Sequence, residues 1–291
     1  MNDKRFKYAY HIDLDSDTTP AKVVRLVGRG KKVLELGCGP GHMSRVLKEH
    51  LGCEVTGVEV DIEAAREAEK HCREVICCDL DRTKLSGYLG DRTFDVIVMA
   101  DVLEHLIEPE RVLRQAKGLL REGGYLVISI PNVAYMGIVA SLMSDDFPYS
   151  DLGLLDRTHM RFFTGPSFRR LLGSKGFIIK EWQTYEVPVE YTEFKQAFER
   201  LPKGIRQFIS MCPDSSVYQF ILSAAPFGEE DANQGISRDS LAEKLDDEVE
   251  RGMKERDNWF LKSYSMEQQV QDDKEVPNLF KRLLSTFKVK R

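Results

Sequence analysis

The chain has 291 residues, 42% of them hydrophobic and 31% charged, a balance that supports one large buried core or two smaller ones. Lysine and arginine number 42 against 47 aspartates and glutamates, a net charge of −5, which argues against a general nucleic-acid binder. The charged N-terminus has no apolar run behind it and no stretch approaches the ~18 apolar residues of a membrane span. Six cysteines without a C-x-x-C pair point to a reducing cytoplasm, with no disulfide framework and no zinc centre.

Residues 1–31 read as a lid segment in which Tyr8, Tyr10 and His11 either fold over a cleft, where aromatic faces attract a cation, or simply pack. From residue 32 the pattern is strand then helix, repeated. The runs 32–37, 54–59, 74–78, 94–99 and 125–130 are rich in Val and Ile and nearly unbroken, as strands covered on both faces should be. Helical spacing falls between them, at 42–50, 62–71 and 110–120, and the pair Gly123-Gly124 is expected to close the last of these. The class is therefore α/β, a doubly wound, Rossmann-like sheet.

An irregular segment, 131–164, follows, with a helix expected at 133–143. A helix at 166–175 and strands at 177–184 and 217–225 complete seven strands, the last two separated by an insertion, 186–216, whose stretch 190–200 is helical in pattern. Residues 32–226 thus form the main domain, with 131–164 and 186–216 as acceptor-side segments. The remainder, 227–291, is a charged helical tail: Leu241, Leu245, Val249 and Met253 recur every four residues, and residues 276–291 hold five basic side chains and no acidic one. That end reads as a basic amphipathic helix, either docking on an anionic inner leaflet or a protein partner, or solvated.

The chemistry concentrates at strand ends. Val33-Leu-Glu-Leu-Gly-Cys-Gly-Pro-Gly41 runs a strand into a glycine turn and then a helix, an arrangement that brings backbone N–H groups and a helix N-terminus to a ligand. Its G-x-G-x-G spacing departs from the G-x-G-x-x-G of a dinucleotide fold. Glu59 ends the second strand, where doubly wound folds place an acid against two ribose hydroxyls. Asp79 with Leu80 follows the third strand, suited to an adenine amino group and an apolar ring contact. Ala100-Asp101-Val-Leu-Glu-His105 follows the fourth.

These residues resemble the successive motifs of class I S-adenosylmethionine-dependent methyltransferases over residue 33 to about 225. The resemblance implies a sheet whose last strand is antiparallel, with S-adenosyl-L-methionine as donor and S-adenosyl-L-homocysteine as product. By position, Gly37, Gly39 and Gly41 would line the methionine part, Glu59 the ribose, and Asp79 and Leu80 the adenine. Glu35 would support the loop, Asp101 would lie near the sulfonium, and Cys38, Val60 and Ala100 complete the donor-binding set.

A narrower resemblance, carried by Pro131-Asn-Val, Leu154-Leu-Asp-Arg-Thr-His159 and Met160-Arg-Phe-Phe-Thr164, is to a bacterial subgroup associated with glycosyltransferases. It implies O-methylation of a glycan or glycan-derived molecule in surface polysaccharide biosynthesis. A quinone-like small molecule is the alternative acceptor, and a non-catalytic scaffold tethering a partner is the alternative of another class. His159 and His105 are the candidate bases, each with a loop-bracing role as the other reading. Asn132, Arg157 and Arg161 are candidate acceptor contacts, the arginines either clamping an anion or pairing with Asp151 or Asp156. No Asp/His cluster has ligand spacing, so no metal is expected.

Overall fold

The computed structural model describes residues 12–228. Tyr8, Tyr10 and His11 and the tail helices expected within 229–291 lie outside the described residues. Among the described residues no helix is long and apolar enough to cross a membrane. The chain divides into a larger unit, residues 12–134, 149–187 and 217–228, and a smaller one, residues 135–148 and 188–216.

The larger unit is built on seven strands: β1 (Lys32–Leu36), β2 (Glu54–Glu59), β3 (Glu74–Cys77), β4 (Phe94–Ala100), β5 (Leu120–Pro131), β6 (Phe177–Glu186) and β7 (Val217–Pro226). They lie in the order β3-β2-β1-β4-β5-β7-β6, and β7 runs antiparallel to both its neighbours. The expected Rossmann-like sheet with its last strand reversed is therefore present. Among the described residues the helices are α1 (Thr19–Val27), α2 (His42–Leu51), α3 (Ile62–Ala68), α4 (Ser86–Leu89), α5 (Pro109–Leu119) and α7 (Gly165–Ser174) in the larger unit, and α6 (Met136–Met143), α8 (Lys195–Arg200) and α9 (Lys203–Met211) in the smaller one.

Strand side chains alternate between faces, and both faces here are apolar. Leu34, Leu36, Ile97, Met99, Ile128 and Leu222 pack with Val112, Leu113 and Ala116 of α5 and Phe168 and Leu172 of α7. Val33, Val96, Val98, Val127 and Ile221 pack on the opposite face with Ala21, Val23, Val24 and Val27 of α1, Val46 and Leu47 of α2, and Ala68 of α3. The double cover explains the unbroken Val/Ile runs. It also makes residues 19–27 of the expected lid segment a core helix.

The Gly123-Gly124 pair does not cap a helix. Helix α5 has already ended at Leu119, and β5 starts at Leu120 opposite Phe94, with an irregular register before Val96 pairs Tyr125. Gly123 has φ +71°, and a Cβ on Gly124 would lie 2.9 Å from the Arg121 carbonyl, so the pair forms a bulge inside the strand. In the smaller unit, a Cβ on Gly137 of α6 would lie 2.5 Å from the Cβ of Phe194, whose ring also meets the buried Tyr135 at 6.1 Å. The helix expected at 190–200 is a single 3-10 turn, Val189–Tyr191, followed by α8.

Candidate functional site

The carboxyl ends of β1, β2, β3 and β4, adjacent strands of the sheet, form one edge at which ligands of open α/β sheets bind. Between β1 and α2, Gly37 (φ +68°) and Gly41 (φ +81°) take conformations that side chains rarely adopt. A Cβ on Gly37 would lie 2.7 Å from Cγ2 of Val102, and one on Gly41 3.0 Å from the Ala68 backbone. The N–H groups of Gly37 and Cys38 donate to the Val58 carbonyl at 2.8 and 3.0 Å. The start of the turn is thus anchored on β2, and its N–H groups do not face a ligand as the sequence suggested. The first N–H groups of α2 follow Gly41, a cap that supplies no side-chain acceptor for them.

Glu59 is held by backbone donors. Gly39 N–H donates to its Oε2 at 2.8 Å, and the N–H groups of Val60 and Asp61 donate to Oε1 at 2.8 and 2.9 Å. Each carboxylate oxygen has two lone pairs; both on Oε1 are taken, so the oriented group retains one free acceptor position, on Oε2, for a hydroxyl. Asp61 caps α3 through the N–H groups of Glu63 and Ala64, and the exposed Val60 lies between. Glu35 is not at the surface: it is buried and accepts a hydrogen bond from Ser44 Oγ of α2. Burial pushes its pKa up to about 8, with the Ser44 bond opposing. Through Ser44 it braces the helix start, as the loop support that the sequence suggested. Cys38 is also buried, its thiol pushed up by a hydrogen bond with Cys72 and by burial.

After β3, Asp79 is partly exposed and accepts from the Asp81 N–H at 2.8 Å, while Leu80 is buried in the core. Two residues that sequence reading missed fix this loop. Asp81 accepts the N–H groups of Ile107 and Glu108 at 3.0–3.2 Å, and Arg111 of α5 donates to the Leu80 carbonyl at 2.6 Å.

Next to Ala100 at the end of β4, Asp101 has φ +53°, a strained conformation that aspartate tolerates better than most residues. Its Oδ1 accepts from Ser129 Oγ at 2.8 Å and from Gln219 Nε2 at 2.9 Å, and Gln219 accepts from Thr19 Oγ1 at 2.6 Å. Asp101 keeps an exposed face, yet its carboxyl is crowded by the strand ends. Desolvation raises its pKa, against those two hydrogen bonds.

A 3-10 turn, Leu103–His105, follows. The Glu104 carbonyl accepts the N–H groups of Met160 and Arg161 at 2.7 and 2.9 Å, stitching this turn to the polar loop at 156–161. The Glu104 side chain is 1% exposed, neither carboxylate oxygen has a hydrogen-bond partner, and burial raises its pKa well above the carboxylate range. His105 and His159 meet edge to face, centroids 4.7 Å apart. His159 Nδ1 lies 3.1 Å from the Leu154 carbonyl, and His105 Nδ1 lies 3.3 Å from the Thr158 carbonyl and 3.1 Å from Thr158 Oγ1, which donates to Asp156. One carboxylate oxygen of Glu104 and one nitrogen of each ring fall within 4.8 Å of one another. Three side chains that could together hold a metal ion, a grouping the sequence did not suggest, thus meet from two loops far apart in the chain.

The candidate acceptor contacts separate. Arg157, paired with Asp151 at 2.9 Å, lines an open cavity of about 510 Å³ together with Tyr149, His159 and Met160. Arg161 donates to the Ile107 carbonyl through Nε at 3.1 Å and Nη2 at 2.5 Å, which makes it a brace of the loop. Asn132 is fully buried. Its amide donates to the Val217 carbonyl at 2.9 Å and accepts from Ala134 N–H at 3.0 Å, so it ties β5 to β7 and is out of reach of an acceptor.

Comparison with known proteins agrees with this architecture. Residues 15–181, more than half of the chain, match a family model described as a methyltransferase domain. The ubiquinone biosynthesis O-methyltransferase of Actinobacillus pleuropneumoniae serotype 7 (strain AP76) is 33% identical over 120 residues, covering 38% of this chain and 51% of that protein. The chain therefore spans about half the length of the first curated relatives it matches. The sarcosine/dimethylglycine N-methyltransferase of Halorhodospira halochloris is 29% identical over 198 residues, 64% of this chain and 66% of that one. The crystal structure of a candidate methyltransferase from Bacillus halodurans C-125 shares the fold, with a TM-score of 0.50 at 16% identity over 71% of this chain and 97% of that one.

Proposed function

This chain belongs to the methyltransferase-domain family, and from that premise we propose that it transfers a methyl group from S-adenosylmethionine to an oxygen of a hydroxyl-bearing small molecule. The observation that carries the proposal is the alignment of four successive strand ends: the glycine turn with the uncapped start of α2, the backbone-oriented Glu59, the Asp79-Leu80 loop, and Asp101 held by Ser129 and Gln219. These groups suit the amino-acid, ribose and adenine parts of the donor and its cationic end in turn. The donor supplies an electrophilic methyl: the acceptor oxygen attacks the methyl carbon, the carbon–sulfur bond breaks, and sulfur leaves with its electron pair as a thioether.

The protein then has to orient the partners and manage one proton. Holding reactants in line is worth on the order of 7–11 kcal/mol of barrier for well-oriented partners. An oxygen acceptor must lose its hydroxyl proton. Because a carbonyl only accepts, the Leu154 contact puts the proton of neutral His159 on Nδ1 and leaves Nε2 as the basic nitrogen, on a residue that lines the cavity beside Arg157.

Two acceptor classes have support. A quinone-like phenol is favoured by the relatives named for ubiquinone biosynthesis. A glycan is favoured by the Leu154–Thr164 segment, whose His159, Met160 and Arg157 border the cavity. Labelled donor incubated with a panel of catechols and a panel of sugars separates them: transfer to the first with none to the second selects the phenol class, and the reverse selects the glycan. Donor binding without transfer to any acceptor in the presence of divalent cations would favour the scaffold reading. We further propose a cytoplasmic enzyme that docks on anionic membrane or a protein partner through residues 276–291. Unchanged sedimentation with anionic liposomes after their deletion would remove the membrane role.

A further inference from the structure

We propose that Glu104, His105 and His159 form a binding site for one divalent transition-metal cation, placed to hold the acceptor oxygen; the binding site stands on its own residues, and its role rests on the O-methyl transfer reading above. The first observation is Glu104. A carboxyl group almost fully removed from water, with neither oxygen hydrogen-bonded, costs several kcal/mol unless something compensates it. Core packing does not require a carboxylate there, since Leu103 beside it already fills the apolar core. A cation compensates it directly.

The second observation is the pair of rings at the same spot, each oriented as metal-bound histidines are. Metal-ligating imidazoles characteristically donate the distal N–H to a carbonyl or carboxylate, which fixes the tautomer and the ring plane. Here His159 Nδ1 faces the Leu154 carbonyl, and His105 Nδ1 faces the Thr158 carbonyl and a hydroxyl that is itself committed to the buried Asp156. Both rings therefore present Nε2 as the lone-pair nitrogen. One nitrogen of each ring and one Glu104 carboxylate oxygen already lie within 4.8 Å of one another. Bonds of ~2.0–2.2 Å require ligand separations of about 3–4 Å, so a bound cation would draw the three groups closer together.

Two imidazoles and one carboxylate are the donor set of non-haem Fe(II), and suit Mn, Co and Zn; magnesium and calcium prefer all-oxygen shells. Three protein ligands leave coordination positions open. Since His159 borders the cavity with Tyr149, Arg157 and Met160, an acceptor with two adjacent oxygens, such as a catechol or a vicinal sugar diol, is the ligand chemistry those positions would take. A bound cation lowers the pKa of a coordinated hydroxyl, so with the metal in place the acceptor's proton leaves to water, and His159 serves as a ligand in place of the base that its Nε2 supplies in the metal-free site.

The test uses the tag-free 291-residue chain stripped with a chelator, then titrated separately with Mn²⁺, Co²⁺, Zn²⁺ and Mg²⁺. About one tight site is expected for Co²⁺ and Zn²⁺, with Co²⁺ giving ligand-field bands and no thiolate charge-transfer band, and with Mg²⁺ at least tenfold weaker. Glu104→Gln and, independently, the loop variant His159→Ala should each weaken Co²⁺ binding at least tenfold. Absence of a site in the wild type, or affinity unchanged in both variants, would overturn the proposal. S-adenosylhomocysteine binding by the stripped protein reports on the donor reading alone: metal binding without it would leave this site standing and remove the methyl-transfer reading, and the reverse pattern would remove only the site.

Discussion

Replacing Gly37 with alanine should perturb the fold through one identifiable contact. The residue has φ +68°, and the left-handed region costs a side chain about 1–2 kcal/mol. The new Cβ would also lie 2.7 Å from Cγ2 of Val102, a residue 7% exposed, and overpacking of this kind costs about 1–3 kcal/mol. Gly37→Ala is therefore expected to lose about 2–5 kcal/mol. Val102→Ala alone removes two buried methyls at ~0.8 kcal/mol each, plus a small cavity. In the double variant the added methyl occupies the space vacated, so the overpacking part disappears while the backbone strain persists. Urea unfolding of the four proteins should give a coupling of about 1–3 kcal/mol in favour of the double variant, well beyond the ~0.5 kcal/mol scatter of independent sites. Additive losses would show that the turn and the β4 end do not pack as described.

Three further outcomes follow from individual groups. Glu35 titrates near 8 when folded against 4.5 when unfolded, so between those values the folded state keeps a proton that the unfolded state has lost. Its contribution must therefore fall as pH rises through that window, by about 3–5 kcal/mol in all at ~1.4 kcal/mol per unit. Chemical denaturation of Glu35→Gln across that range should show the variant gaining on the wild type as pH rises; parallel curves would refute the assignment. Gln219→Ala removes the donor to Asp101 and leaves Thr19 without its acceptor, and should cost about 1–2 kcal/mol in thermal unfolding; an unchanged Tm would mean that the relay carries no energy. Asn132→Ala should destabilise by a similar or larger amount without altering acceptor KM in the folded fraction, since the side chain is buried; a raised KM at constant stability would return it to the acceptor site.

The sheet was legible because burial on both faces writes itself into sequence as continuous Val/Ile runs, and the strand-end acids followed from the chain order that a doubly wound topology imposes. Helix α1 was not, since nine residues between polar flanks give too short a period, and only its packing on β5 and β7 makes it part of the core. The glycine pair in β5 signalled a break, but its kind depended on the carbonyls of Arg121 and Phe94 meeting at the same point. Side-chain type alone did not decide the roles of Asn132 and Arg161, both of which hold backbone carbonyls of neighbouring elements. The cluster of Glu104, His105 and His159 escaped ligand-spacing rules because its members meet through tertiary contacts, with the Glu104 carbonyl pinning the second loop to the first.

The central claim is that the four strand ends bind the donor, and calorimetric titration of the 291-residue chain tests it most directly. The ligands are S-adenosylmethionine, S-adenosylhomocysteine and, as a control, NAD. The account predicts saturable one-to-one binding of both sulfur nucleotides, no binding of NAD, and at least tenfold weaker binding in Glu59→Ala, which loses the carboxylate that three backbone N–H groups orient. Folded wild-type protein that binds neither sulfur nucleotide, or binds them equally well without the Glu59 carboxylate, would contradict it.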